Sequence, residues 1–150
     1  MAGSKYAATG TQNVATPADS TLGLTATAAQ RLWIYYFCIS SQGTPADNAI
    51  LWTFQRHTAA GTATSVVPIA LDPADPASVG IAAENHTVEP TVTAAAELWE
   101  NAVNQRATLQ FFSPPGAEFV MPATAANGAV FQPLHASYAG LVETTAHWTE

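Results

Sequence analysis

Residues 31–39 read RLWIYYFCI, and this stretch decides the fold class. Large apolar side chains occupy both alternating sets of positions, which is typical of a strand covered on both faces. We therefore predict a central strand here. Cys38 is the single cysteine of the chain, so a disulfide within the chain is excluded. We interpret Cys38 as a small core side chain rather than a redox or nucleophilic group.

A second stretch, residues 48–57 (NAILWTFQRH), alternates between apolar and polar side chains. One face carries Ile50, Trp52 and Phe54, and the other carries Thr53, Gln55 and His57. This period of two predicts a strand with one buried face and one wet face.

The remaining chain is divided by turn-forming motifs such as Gly-Thr-Pro, Pro-Pro-Gly and Asn-Gly, about every eight to twelve residues, a spacing typical of all-β proteins. Further strands are predicted at 20–27, 63–71, 106–112, 117–122, 128–134 and 138–148. Residues 92–104 are ambiguous, because three alanines and Leu98 favour a helix while the preceding threonines and valine favour a strand. We favour a strand with a kink.

These segments predict an all-β fold, an antiparallel β-sandwich with jelly-roll connections. An immunoglobulin-like sandwich is the alternative topology, but the Cys-Trp-Cys spacing of that family is absent.

The first residues of the chain are small and polar and are followed by Pro17, so we predict an extended N-terminal arm over residues 1–19. Residues 20–150 would then form a single β-sandwich domain, an ordinary size for one core. Tyr6 and Val14 leave a further strand of the sandwich as the alternative for this segment.

The chain has 4 Lys and Arg residues against 11 Asp and Glu, a formal net charge of −7. So few cations argue against nucleic acid and against anionic membranes as partners. The N-terminus lacks the apolar core of a secretory signal, and no apolar run approaches the roughly 18 residues of a membrane span. We expect a protein that is made and used in a soluble state. Only 10% of residues are charged, which suits packing against other proteins.

Two acidic segments are candidates for a metal site. Glu84, His86 and Glu89 lie close together in sequence, and Asp72 and Asp75 belong to a repeated Asp-Pro motif. In an extended segment Glu84 and His86 would point to one side and Glu89 to the other, which favours a solvated loop. Each Asp-Pro pair favours a tight turn, because Asp caps the following amides and Pro presets φ. We therefore predict a rigid corner that ends a strand at Leu71, with no metal and no cofactor.

Catalytic motifs are absent from the sequence, which contains neither Gly-x-Ser-x-Gly nor a Gly-rich phosphate loop. His135 and His147 are candidate partners of Glu143 in a general base, but no nucleophile accompanies them. Trp99 lies between Glu97 and Glu100, an arrangement that suits stacking of a sugar ring on the indole beside two carboxylates. Trp99 fits a core or interface position equally well. The sequence therefore predicts no enzyme and no catalytic residue.

One succession of motifs resembles a known family. A tryptophan-containing strand that ends in Arg56 is followed by TAAGTATSVVP, ALDPADPAS and VEPT. This succession, within residues 50–92, resembles small β-sandwich head decoration or cement proteins of tailed bacteriophages. The resemblance implies a structural virion protein that stabilises the outer capsid surface and is made in the host cytoplasm. The implied partners are the major capsid protein and copies of itself, usually as a homotrimer.

Two other functions remain as alternatives. A phage-borne jelly-roll module that binds a carbohydrate or a receptor would carry exposed aromatic side chains with polar partners, whereas most aromatics here are predicted within strands. A cupin-like enzyme would need clustered histidines on neighbouring strands, whereas His57, His86, His135 and His147 are scattered along the sequence.

Overall fold

The computed structural model describes residues 3–14, 19–134 and 138–150, which form strands and no helix. The strands are β1 (Lys5–Val14), β2 (Leu22–Thr25), β3 (Leu32–Ser41), β4 (Ala49–Ala59), β5 (Thr62–Val66), β6 (Ile69–Ala70), β7 (Ile81–Val88), β8 (Thr91–Asn104), β9 (Leu109–Phe112), β10 (Phe119–Met121), β11 (Gly128–Leu134) and β12 (Gly140–Thr149).

These strands form two packed sheets. Sheet A has the order β10-β3-β12-β1-β6, with β9 also paired to β3, and sheet B has the order β5-β7-β2-β11-β4-β8. The pairs are antiparallel. The predicted all-β, antiparallel β-sandwich is therefore confirmed. Strands β1 to β4 alternate between the two sheets, which fits the predicted jelly-roll connectivity, and that connectivity stays an interpretation.

The core lies between the sheets and is built from the alternate side chains of each strand. Phe37 of β3 lies at its centre, with ring centroids of Phe111 and Phe131 at 5.0 Å and of Trp99 at 5.1 Å. Such ring pairs add to the free energy gained from burial alone. Trp99 is half-buried and packs against this core.

Strand β3 is internal to sheet A, as predicted, but it is not covered on both faces. Leu32, Ile34, Phe37 and Ile39 are fully buried toward sheet B, whereas the intervening side chains are half-buried on the outer face of sheet A. The pairing with β12 shifts so that His147 faces Tyr36 and Trp148 faces Ile34, which leaves Tyr35 as an extra residue in a β-bulge. The interpretation of Cys38 as a core side chain is also wrong, because it lies half-buried on this outer face.

The predicted N-terminal arm is wrong for residues 5–14, which form a strand of the sandwich. Strand β1 pairs with β12 along its whole length, from Lys5 opposite Thr149 to Val14 opposite Gly140. Tyr6 and Val14 are buried in the core, with 1% and 0% of their surface exposed. The β-sandwich therefore begins within the segment assigned to the arm, while Pro17 lies outside the described residues.

Strand β4 pairs with β8, and strand β5 pairs with β7. The two pairs follow one another and form one long, bent two-stranded ribbon. Ala59 pairs with Thr91 and Thr62 pairs with Val88, so the pairing continues through the bend. Gly61 lies at the bend with φ +73°, where a Cβ atom would come within 2.2 Å of the Val88 carbonyl oxygen. One end of the ribbon pairs with β11 through β4, and the other end pairs with β2 through β7. Because β2 and β11 are themselves paired, the ribbon closes over their outer face.

This closure overturns the predicted wet face of β4. Thr53, Gln55 and His57 are 1%, 8% and 2% exposed. They point away from the main core, yet the bent ribbon removes them from water. Strand β4 therefore has two buried faces.

Two local predictions are confirmed. Residues 92–104 belong to strand β8, which contains register shifts against β4 and a positive φ of +53° at Ala95, as expected for a kinked strand. The Asp-Pro corner follows β6, where the Asp72 carboxylate accepts a hydrogen bond from the Ala74 amide at 2.9 Å. The Asp75 amide donates to the Asp72 carbonyl at 3.0 Å, which closes the turn.

Candidate interaction surface

The residues considered for a metal site do not converge. The Glu84 carboxylate accepts hydrogen bonds from the amide and hydroxyl of Thr11, at 2.6 and 2.9 Å, and so joins β7 to β1. Glu89 bonds to Ser20 instead, and His86 donates from Nδ1 to the Ser20 carbonyl at 3.2 Å. Within the described residues, no group of three or more His, Cys, Asp and Glu side chains is placed to hold a metal ion.

Ser20 belongs to a buried polar cluster that sequence reasoning did not identify. Its hydroxyl donates to the Glu89 carboxylate, and the Gln132 side-chain amide donates to both, at 3.2 Å. Ser20 is fully buried, and its proton is held by a carboxylate rather than by an imidazole. The cluster therefore lacks the serine-histidine contact of a nucleophile and instead joins the start of β2 to β11 and the β7-β8 connection.

The other predicted pairs are also separated. His147 and Glu143 point to the same face of β12, but four residues of extended strand place them about 13 Å apart. His135 lies outside the described residues. Trp99 points into the core toward Phe37, whereas Glu100 is exposed. Glu97 accepts a hydrogen bond from Gln55 at 3.2 Å. Trp99, Glu97 and Glu100 therefore do not form a sugar-binding site with an aromatic ring beside two carboxylates.

His57 is the most perturbed titratable group of the described chain. Both ring nitrogens are buried without a well-formed hydrogen bond, although the backbone of Leu24 and of Ala126 approaches the ring. The ring lies against Gly128, where a Cβ atom would come within 2.7 Å of Nε2, so only glycine leaves room for the imidazole. Burial is the main cause that lowers the pKa of His57 from 6.5 to about 4. The backbone of Leu24 and of Ala126 opposes this lowering, and the nearby His86 adds to it.

The His57 pKa predicts that stability falls with acidification. Because the folded-state pKa is about 4 and the unfolded one about 6.5, the unfolded chain binds more protons between these values. Stability is thus retained above pH 6.5 and falls by about 3 kcal/mol toward pH 4. Urea unfolding at pH 7, 5.5 and 4.5 measures this slope, which His57→Leu is expected to reduce. His147→Leu is expected to reduce the slope less than His57→Leu does, because His147 is only half-buried; an unchanged slope in His57→Leu contradicts the assignment.

The outer face of sheet A, named here the A face, carries side chains that lie in register across the strands. Pairing defines four rows. Row 1 is Lys5, Thr149, Trp33 and Val120; row 2 is Ile69, Ala7, His147, Tyr36 and Phe112; row 3 is Thr9, Thr145, Cys38 and Gln110; row 4 is Thr11, Glu143 and Ser40.

Row 2 forms an apolar and aromatic stripe across the whole sheet. The Tyr36 ring lies 4.7 Å from the His147 ring and 4.6 Å from the Phe112 ring, measured between centroids. Phe112 and Ile69, at the two ends of the row, are 66% and 63% exposed. Burial lowers the pKa of His147, which favours its neutral form within the stripe. An apolar stripe of this kind on a solvent-facing sheet is typical of an interaction surface.

Beside this stripe lies row 3, whose side chains are smaller. Thr9 and Thr145 are joined by a hydroxyl hydrogen bond of 2.8 Å. Together the rows border a shallow groove of about 370 Å³, lined by Tyr36, Cys38, Phe112, Thr145 and His147. Burial is the main cause that raises the pKa of the Cys38 thiol, so the thiol is favoured over the reactive thiolate.

A second set of exposed apolar side chains lies around the Asp-Pro corner. Val67, Leu71, Val79 and Ile81 are 46% to 76% exposed, and Leu71 follows β6 at the edge of the A face. The Asp-Pro corner therefore lies next to row 1 of the A face.

The described residues contain no helix with the length and apolarity needed to cross a membrane. Comparison of the chain with protein-family models, with curated proteins and with solved structures finds no significant match.

Proposed function

We propose that this protein is a structural virion protein that decorates and stabilises the outer surface of a bacteriophage capsid. The observation that carries the proposal is the A face, whose row 2 is an apolar and aromatic stripe with exposed side chains at both ends and no carboxylate. Such a surface can bury area against another protein without placing many charges in the interface. The major capsid protein and copies of the chain itself are the proposed partners, in a symmetric homo-oligomer that the resemblance implies to be a trimer.

Two further features support a role in protein assembly. The arrangement of the candidate acids, histidines and Ser20 gives no nucleophile with an adjacent base among the described residues, so their polar contacts act to hold strands together. The resemblance of residues 50–92 to decoration proteins includes the corner at Asp72 and Asp75, which is a turn closed by two hydrogen bonds. A rigid fold suits a protein that is repeated many times on a shell.

The proposal requires that the genome encoding this chain also encodes a major capsid protein, and co-expression of the two proteins tests it. We expect the protein to sediment with assembled shells and to appear in electron-microscopic reconstructions at symmetry-related positions on the outer surface. Shells assembled without the protein provide the reference density. A protein that stays in the supernatant while shells form, at micromolar concentration, contradicts the proposal.

A carbohydrate-binding module is the second candidate, and the groove beside Tyr36 and Phe112 favours it. Stacking of sugar rings on exposed aromatic side chains is a common mode of glycan recognition, and Thr145 and His147 offer polar groups beside the rings. Binding to a glycan array that is lost on Phe112→Ala would support this candidate over the structural role.

A further inference from the structure

We propose that part of the bent ribbon opens at mildly acidic pH while sheet A and the main core stay folded. This part, named here the bend segment, consists of residues 55–65, where β4 leads into β5, and residues 83–97, where β7 leads into β8. The opening goes beyond the proposed function and does not require a capsid.

The bend segment is not anchored in the main hydrophobic core. The buried core residues of the ribbon strands lie outside it and are Ile50, Trp52, Phe54, Ala82 and Val103. Residues 55–65 and 83–97, which the structure describes in full, contribute no side chain to that core. Segments with few buried apolar contacts open at a lower free energy than core strands do. The bend segment can therefore separate while the sandwich stays folded.

A second, smaller interior lies between the bend segment and the outer face of β2 and β11. Strand pairing places Gln55 opposite Val130, which in turn lies opposite Gly23. His57 lies opposite Gly128 in the same way. Val130 is fully buried, yet it does not belong to the main core. Because the floor of this interior is one valine and two glycines, closure gains little free energy from apolar burial here.

Polar contacts hold the bend segment closed instead. The Gln12 side-chain amide donates to the His86 carbonyl at 3.2 Å, and the Ser20 amide donates to the Glu89 carboxylate at 3.2 Å. Water can replace each of these partners when the segment opens. Closure also holds Ala95 at a φ of +53°, a conformation that costs free energy for a residue other than glycine.

His57 and His86 are enclosed in this interior, with 2% and 8% of their surface exposed. A Cβ atom on Gly128 would lie 2.7 Å from Nε2 of His57, and one on Gly23 would lie 3.1 Å from Nε2 of His86. Both rings therefore lie against the glycine floor, where water cannot solvate a charged ring. Burial lowers the pKa of both histidines, that of His57 to about 4. Neutral rings thus favour closure, and charged rings favour opening.

The neighbouring elements bring few charges to the two rings. Strands β2, β5 and β11, which the structure describes in full, contain no titratable side chain. Glu89 opposes the lowering of the His86 pKa, but burial outweighs it. Glu97 on β8 accepts a hydrogen bond from Gln55, and Arg56 on β4 points to sheet A, where it donates to the Val120 carbonyl. Glu84 on β7 bonds to β1.

Opening solvates His57 and returns its pKa toward 6.5. The open state therefore binds more protons than the closed state between pH 6.5 and pH 4. The ribbon stays closed above this range, and the open population rises as the pH falls through it. For His57 alone, acidification from pH 7 to pH 5 raises the opening equilibrium about 20-fold.

Hydrogen–deuterium exchange of the full chain at pH 7 and pH 5, read by mass spectrometry, tests this opening. Protection factors corrected for the pH dependence of intrinsic exchange report the opening equilibrium. Peptides from residues 83–97 are expected to lose about 20-fold in protection at pH 5, and peptides from β1 and β12 less than about twofold. His57→Leu and His57→Gln each remove the titrating ring and are expected to reduce the loss at residues 83–97 about tenfold.

His147→Leu is the matched control, because it removes a half-buried histidine on the A face and should leave the exchange of residues 83–97 as pH-dependent as in wild type. An equal loss of protection in β1 and β12 overturns the inference, because the opening is then global unfolding. Unchanged protection of residues 83–97 at pH 5 also overturns it, as does a loss in both His57 variants that equals that of wild type. Since no shell is present, these outcomes leave the proposed function unaffected.

Discussion

Deletion of residues 1–14 is expected to abolish cooperative folding. Strand β1 lies between β12 and β6 in sheet A, and its ten residues pair with β12 from end to end. The deletion removes Tyr6 and Val14 from the core and exposes Trp148, whose ring lies 6.1 Å from that of Tyr6. Loss of a single large core side chain costs about 3–5 kcal/mol. Loss of the whole strand therefore exceeds the roughly 5–15 kcal/mol that stabilises a typical domain.

Far-UV circular dichroism and urea unfolding of the truncated protein measure this effect. Two point variants separate the core face of β1 from its outer face. Tyr6→Ala removes a side chain that is 1% exposed and donates a hydrogen bond to the Pro76 carbonyl, and should cost about 3–5 kcal/mol. Thr9→Ala alters an exposed side chain in row 3 and should cost less than about 1 kcal/mol. A truncated chain that still unfolds cooperatively would show that β1 is a dispensable arm.

The role of β1 was hard to predict because its buried positions are small or polar. Tyr6, Ala8, Gly10, Gln12 and Val14 do alternate with exposed or half-buried residues, but only two of these five are large apolar side chains. The partner strand β12 lies more than 120 residues away in sequence. Local pattern alone therefore cannot distinguish a small-residue strand from an extended arm, since the burial arises from tertiary pairing.

The wet face of β4 was predicted wrongly for a related reason. Thr53, Gln55 and His57 alternate as polar residues of a solvent-facing side would. Their burial depends on the bent ribbon, whose closure over β2 and β11 arises from pairing between strands that are distant in sequence. Gly61 at the bend gives only a local turn signal. The Asp-Pro corner, by contrast, depends on hydrogen bonds within four residues, and it was correctly predicted from sequence.

The A face was not predictable from sequence because each row joins residues from several strands. Row 2 combines residues from near both ends of the chain and from its middle, so it depends on four separate strand registers. The bulge at Tyr35 adds to the difficulty. It places Tyr36 and Cys38 on the outer face and Phe37 in the core, where a uniform apolar run gives no sign of which residues point inward.

Phe37 and Tyr36, adjacent in β3, are expected to respond very differently to the same substitution. Phe37→Asp is expected to abolish folding, because it places a carboxylate among the rings of Trp99, Phe111 and Phe131 with no access to water. An unpaired buried charge of this kind costs several kcal/mol, in addition to the lost packing of the ring. Tyr36→Asp instead places the carboxylate on the half-exposed A face.

Tyr36→Asp is expected to leave a folded protein, destabilised by about 1–2 kcal/mol through the lost ring contacts with His147 and Phe112. Urea unfolding of the two variants at pH 7 gives the comparison, with Tyr36→Phe as a control that keeps the ring. If both aspartate variants fail to fold, β3 is covered on both faces by a surface of this chain or of a second copy. If both fold, β3 is not internal. The contrast between neighbouring residues thus tests the bulge at Tyr35, because without it the positions from Tyr36 onward would exchange faces.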